Sequence, residues 1–285
     1  MAWTKCYLKT VALSLILSLE AVATVSFSLP AGALNSPANG GPSPDIQNQP
    51  WDWQKVESSS QIRSRLNSHE LGMIWNNFQP PEQGVPGRRE GGGTRGSNCP
   101  TSTTALIPKS TMGRTISAKP TFFYYVPIVL NTKVQFELAD EKDQTIYKKS
   151  FQMVTTRPGI VSVSLSEDPN SPALEVGKNY HWYFTIKCNP KNSQEDVLVS
   201  GWINRTALAP SLKMELERSD DRRLSILAEQ GIWYEYLTTL AQLRLSSPSD
   251  DSLALKWLDL LSSVELGKIA QEPLIPTNVN FANKQ

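Results

Sequence analysis

The sequence predicts a mainly β protein with α: an immunoglobulin-like antiparallel β-sandwich followed by a small helical C-terminal region. Three observations predict it. Between Cys99 and Thr206, apolar side chains recur with period two, in runs of strand length separated by turn signals. Before one of those runs stands Leu174-x-x-Gly177-x-x-Tyr180, the layout of a tyrosine corner, in which a tyrosine hydroxyl ties a strand start to the preceding loop. From about Pro210 the period becomes helical.

The chain begins with Lys5 and Lys9 ahead of an apolar run from Val11 to Leu19, and small residues follow up to Ala31-Gly32-Ala33. This is the layout of a secretory signal peptide, residues 1–33, with cleavage expected after Ala33 and Ala23 as the other site of suitable chemistry. A membrane anchor is the competing reading, but the run is about half of the roughly 20 residues a span needs, and Glu20 interrupts it. Residues 34–83 are rich in Pro, Ser, Asn and Gln and read as a linker that cannot bury enough apolar surface to fold alone. Trp51, Trp53 and Trp75 are out of character in it and either dock onto the folded domain or form a partner-binding segment.

The sandwich domain is expected over 84–207. Its strands are read at Thr104 to Ile107, Thr121 to Pro127, Lys133 to Ala139, Thr145 to Met153, Gly159 to Leu165, Asn179 to Cys188 and Val197 to Arg205. Asp140-Glu141-Lys142-Asp143 joins two of them as a hairpin. Two half-apolar sheets must cover each other, hence the sandwich. The run from Asn179 alternates best: Tyr180, Trp182, Phe184, Ile186 and Cys188 lie on one face, and His181, Tyr183, Thr185 and Lys187 on the other. The helical region is expected over 208–272. Ser219 caps a first helix with Asp220 and Asp221 in its first turn. Ile232, Tyr236, Leu240 and Leu243 form a second apolar stripe. A third helix opens at Ser247-Pro248-Ser249-Asp250, with Leu253, Trp257, Leu261 and Val264 as its buried row. Gly231 to Pro248 looks like half a tetratricopeptide unit, but one partial unit is too few for a solenoid, so a small bundle beside the sandwich is expected. Pro273 and Pro276 end the ordered part, leaving residues 273–285 as a tail.

Charge and cysteines bound the function. The 28 Lys plus Arg nearly match 27 Asp plus Glu, and loss of Lys5, Lys9 and Glu20 with the signal leaves the mature chain neutral. That supplies no electrostatic footprint for nucleic acid, and no segment beyond the signal is apolar enough for stable membrane insertion. Cys6 leaves with the signal, so Cys99 and Cys188 remain as a pair in an oxidising compartment, and a disulfide is expected. A zinc site that adds His69 and His181 has the wrong spacing.

The run Gly91-Gly92-Gly93-Thr94-Arg95-Gly96 satisfies a dinucleotide pattern literally, but prolines before it and Asn98-Cys99-Pro100 after it exclude the strand and helix that pattern requires. No cofactor is expected. Gly92 and Gly93 with Arg88, Arg89 and Arg95 are instead read either as an anion site for carboxylate, phosphate or sulfate, or as a flexible lead into the first strand. Tyr183 and Trp202 are candidate ligand-face aromatics, with core packing as the competing reading. No nucleophile motif is present, and His181 stands alone as a candidate base. Asn204-Arg205-Thr206 is a glycosylation sequon.

Taken together, Arg88-Arg89-x-Gly91-Gly92-Gly93-Thr94-Arg95-Gly96-x-x-Cys99, Pro120-Thr121-Phe122-Phe123-Tyr124-Tyr125-Val126-Pro127, Gly159-Ile160-Val161-Ser162-Val163-Ser164-Leu165, Leu174-Glu175-Val176-Gly177-Lys178-x-Tyr180-x-Trp182-Tyr183-Phe184 and Gly201-Trp202-Ile203-x-Arg205 resemble the cyanobacterial domain-of-unknown-function family 928. The resemblance covers about residues 80 to 275. It implies an exported cyanobacterial protein with the sequon unused, and brings no activity and no catalytic residue. The expectation is therefore a non-enzymatic periplasmic or cell-surface module that binds an envelope protein or polysaccharide. The alternative is an envelope hydrolase built on Arg95, His181 and a loop carboxylate.

Overall fold

In chain order the strands are β1 (Thr104–Ala105), β2 (Met112–Thr115), β3 (Thr121–Val126), β4 (Asn131–Ala139), β5 (Thr145–Val154), β6 (Gly159–Ser164), β7 (Asn179–Ile186) and β8 (Val197–Arg205), and the helices are α1 (Pro210–Arg218), α2 (Asp220–Glu229), α3 (Trp233–Ser246) and α4 (Asp251–Ser263). The computed structural model describes residues 87–92, 99–189, 191–218 and 220–276. The signal peptide, the 34–83 linker with its tryptophans and His69, Gly93, Arg95 and the Ser219 cap lie outside the described residues.

The strands form two sheets, ordered β1-β3-β6 and β2-β8-β7-β4-β5. They face each other across aromatic side chains of β3, β4 and β7. Tyr124 stacks on Phe184 with centroids 3.9 Å apart, and Phe122 lies 4.9 Å from Phe136 and 5.6 Å from Trp182. Such contacts hold sheets together because each buried ring removes a large apolar area from water.

One pair departs from the expected all-antiparallel arrangement: β2 runs parallel to β8, with Met112 opposite Trp202 and Thr115 opposite Arg205. The segment Met112-Gly113-Arg114-Thr115 has no alternation to announce it. It becomes a strand because α3 packs on it: a Cβ at Gly113 would stand 2.9 Å from Tyr234 Cε2, so the close approach requires glycine. The antiparallel remainder matches the expected runs closely, although β1 is only two residues long. The chain beyond Pro273 also departs from expectation. The Ile160 amide donates to the Pro273 carbonyl and the Ile275 amide to the Ile160 carbonyl, both at 2.8 Å, which holds residues 273–275 against the start of β6.

The tyrosine corner closes as the spacing predicts: the Glu175 amide donates to the Tyr180 hydroxyl at 2.9 Å. Arg205 reinforces it by donating to the Leu174 carbonyl.

The helical region packs on the sandwich rather than beside it as a separate bundle. Trp233 Nε1 donates to the Leu106 carbonyl at 2.9 Å, and Trp182 Nε1 donates to the Tyr234 hydroxyl at 2.9 Å. Glu235 accepts from Thr115 Oγ1 at 2.5 Å and from the Ile116 and Ser117 amides at 3.1 Å each. Burial pushes its carboxyl above the usual range, against the pull of those donors. Helical periodicity from about Pro210 takes in α1, although the sequence assigned no separate helix before the one expected from Ser219. The sequence also set the α4 start slightly early, since the cap is Asp250, which accepts from the Ser252 and Leu253 amides. Gly231, at φ +65°, ends α2 in the left-handed conformation that glycine adopts without strain.

Asp168 pins the β6–β7 connection to β5. Its carboxylate accepts from Tyr147 Oη at 2.7 Å and from the Asn170 amide at 2.9 Å, and lies 3.4 Å from Lys149 Nζ. Desolvation alone would raise its pKa, but Tyr147, Asn170 and Lys149 outweigh it, so the net shift is downward. A depressed carboxyl stabilises the fold above the ordinary aspartate range, and that contribution is lost as pH falls through the native value. Asp168→Asn is therefore expected to lower stability at neutral pH by about 1–3 kcal/mol and to flatten the acid limb of the stability curve. Urea unfolding between about pH 3 and 7 reads both effects.

Candidate functional site

Residues 88–92 form the seam that joins the two sheets. On one side the Ser200 amide donates to the Arg88 carbonyl at 2.8 Å, and Gly92 bridges Leu198 of β8. On the other side the Gly91 amide donates to Thr103 at 2.6 Å and the Ala105 amide to Arg89 at 2.8 Å. The described part of the glycine run is thus paired backbone rather than an open anion loop. Arg89 is engaged too: its guanidinium donates to the Val264 carbonyl at 2.7 Å, and burial lowers its pKa. Arg88 remains exposed.

Trp202 does not belong to a ligand face. It is fully buried at 0% exposure and stacks on His181 at 4.4 Å with an 11° interplanar angle. The register explains the pairing, since His181 stands opposite Trp202 on neighbouring strands. Period two placed His181 and Tyr183 away from the core face, yet His181 is buried as well, because β7 is a central strand covered on both faces around that position.

Around His181 the hairpin residue Asp143 and Tyr183 close a polar triangle. Tyr183 Oη lies 2.5 Å from Asp143 Oδ1 and 2.7 Å from His181 Nδ1, and Nδ1 lies 3.2 Å from Asp143 Oδ1. Burial lowers the His181 pKa, although Asp143 opposes that, and burial together with Asp143 raises that of Tyr183. The loop carboxylate of the hydrolase reading is therefore present beside the histidine. The geometry does not serve it: Nδ1 is occupied, Nε2 is buried without a described partner, and the side chain is 1% exposed. A general base must reach the proton it takes. The triangle instead fixes the β4–β5 hairpin, where Asp143 sits at φ 60°.

Among the described residues, an opening lies at the end of the sandwich that carries the disulfide. Cys99 and Cys188 are bonded, with Cα atoms 5.7 Å apart and 89 residues between them in sequence. Beside the bond is a cleft of about 510 Å³ lined by Pro100, Ile128–Thr132, Ile186, Cys188, Asn189 and Glu195. Its rim is tied down at several points. Thr132 Oγ1 donates to the Lys187 carbonyl at 2.5 Å, Asp196 pairs with Lys187 at 2.7 Å, and Glu195 accepts from Asn189 at 3.2 Å and Asn192 at 2.9 Å. Ile128 and Val129, 36% and 54% exposed, add an apolar lip to this lining. Sequence reasoning missed this site because its lining comes from segments far apart in the chain, from Pro100 to Glu195, and no local motif joins them.

The model of the family named Domain of Unknown Function (DUF928) matches residues 90–274. The chain belongs to that family. No curated protein matches the sequence. Among solved structures, this DUF928 chain has a faint likeness to β-glucuronidases. That of Parabacteroides merdae is 8% identical with a TM-score of 0.23 over 56% of this chain and 27% of that one. β-Glucuronidase 3 of Bacteroides uniformis is 8% identical with a TM-score of 0.22 over 61% and 26%. The chain spans about a quarter of the length of those enzymes, and at that level the likeness carries no argument about activity.

Proposed function

We propose that this DUF928 chain is an exported, non-enzymatic binding module of the periplasm or cell surface, which seats a segment of envelope polysaccharide or protein in the cleft beside Cys99–Cys188. The cleft carries the reading: a braced, concave opening combines an apolar lip with the amide and carboxylate side chains of Asn131, Asn189 and Glu195. Sandwich folds commonly place recognition in the loops at one end, on a rigid scaffold. The signal-like N terminus and the disulfide both suit an oxidising compartment. The tyrosine-corner contact supports kinship with immunoglobulin-like sandwiches.

The test is binding of the full chain to an array of envelope glycans and peptidoglycan fragments, and pull-down of proteins from envelope extract, each beside Val129→Arg. Val129 is more than half exposed, so the substitution leaves stability nearly unchanged. It is expected to weaken binding by roughly tenfold or more, the scale of a central contact in an interface. Blank arrays together with an empty pull-down at about micromolar protein, or binding that Val129→Arg leaves intact, would overturn the proposal.

A further inference from the structure

Glu195 gives the cleft beside Cys99–Cys188 its sign. Among the described residues it is the one charged side chain of the lining. It belongs to a turn that is folded on itself. Asn189 Oδ1 accepts from the Lys191 amide at 2.9 Å, Asn192 Oδ1 accepts from the Gln194 amide at 3.1 Å, and both asparagine side chains donate to Glu195 Oε1, at 3.2 and 2.9 Å. One carboxylate oxygen thus serves two neutral donors. Among the described residues Oε2 meets no donor, and Glu195 is in no ion pair. The lysines of this part of the chain do not supply the missing charge: Lys187 is held by Asp196 at 2.7 Å, and Lys191 is outside the lining. A half-buried carboxylate in that setting favours a cation, because a partly desolvated charge costs free energy until it is paired.

The rest of the lining selects among cations. Ile128 and Val129 are branched aliphatics that can cover the methylene stem of a long basic side chain while its head reaches a carboxylate. Among the described residues no aromatic ring lines the cleft for a sugar face to lie on. Asn131 suits a main chain: its Oδ1 accepts from Gln152 Nε2 at 2.9 Å, which leaves the Nδ2 group as a donor.

We propose, resting on the reading of this cleft as the binding site, that its ligand is a peptide segment carrying lysine or arginine, with the stem against Ile128 and Val129 and the cationic head on Glu195 Oε2.

The probe is acetyl-Ala-Val-Lys-Val-Ala-amide, titrated into the nitrogen-15-labelled full chain. It is expected to shift the amide signals of Ile128, Val129, Asn131 and Asn189 with a dissociation constant below about 1 mM. Norleucine in place of its lysine keeps most of the stem and removes the charge, and is expected to weaken binding roughly three- to tenfold. Glu195→Gln is expected to weaken the lysine peptide by the same factor and to leave the norleucine peptide unchanged. The glutamine keeps an oxygen for Asn189 and Asn192, so the turn is retained. A glucosamine oligomer, which carries its ammonium on a sugar, forms a second arm. No shift up to about 10 mM peptide, equal binding of the two peptides, a lysine peptide indifferent to Glu195→Gln, or Glu195-dependent binding of the glucosamine oligomer alone would overturn the proposal. Ligands that depend on Val129 and ignore Glu195 would overturn it and leave the binding-module reading standing, whereas blank arrays with an empty pull-down would remove both.

Discussion

Reducing the Cys99–Cys188 disulfide is expected to lower the stability of the fold by about 3–5 kcal/mol, the largest effect of any single bond in the chain. The bond closes a loop of 89 residues in sequence that contains β1 to β7, so its loss releases most of the sandwich in the unfolded ensemble. For a folded part of this size the change corresponds to a melting temperature lower by roughly 6–20 °C. Calorimetry with and without a reductant, and of the Cys99→Ala/Cys188→Ala chain, measures it. An unchanged transition would mean that the thiols are not paired in solution. The bond also forms one wall of the cleft through Pro100 and Cys188. Reduction is therefore expected to weaken ligand binding even at temperatures where the protein stays folded.

Trp233→Ala is expected to cost about 3–5 kcal/mol and to lower the stability of sheets and helices together. Trp233 is fully buried in the core shared by both, and its indole N–H is given to the Leu106 carbonyl. Its neighbours Tyr234 and Glu235 hold Trp182 and the end of β2. The helix–sheet contact thus joins two cores into one, and a cooperative unit unfolds in one transition. Far-ultraviolet and near-ultraviolet circular dichroism should fall together in urea for the natural and substituted chains alike. Trp233→Phe keeps most of the apolar contact and loses the hydrogen bond, so a cost of about 1–3 kcal/mol is expected. Helices that melt first while the sandwich persists would show that the two parts are independent.

How far the residues alone led depended on how local the cause was. Strands β3 to β8 follow from alternation and turn chemistry within about ten residues of chain, and the Tyr180 contact follows from a spacing of five between Glu175 and Tyr180. The Asp140 turn and the Asp250 cap are likewise local: Asp140 accepts from the Lys142 and Gln144 amides and Asp250 from those of Ser252 and Leu253. The candidate site was less accessible. Trp202 and Tyr183 were grouped by residue type, but exposure is a property of neighbouring strands, and the order β2-β8-β7-β4-β5 puts Trp202 and His181 face to face in the interior. Gly92 and Arg89 were among the residues of one reading as an anion site, but Gly92 is bridged to Leu198 of β8 and the Arg89 guanidinium is used within the protein.

Periodicity and cysteine counting were enough for a β-rich chain with a helical C-terminal region and for pairing Cys99 with Cys188, and the order of motifs was enough for the family resemblance, because each rests on short-range pattern or on pair counting. Tertiary structure alone decided that Met112–Thr115 is a strand, that it runs parallel to β8, and that the helices share the sandwich core. It alone assembled the cleft from residues as far apart as Pro100 and Glu195. The reason is that burial and register are set by contacts distant in sequence: period two tells which side chains share a face, and only the packed neighbours tell whether that face meets water.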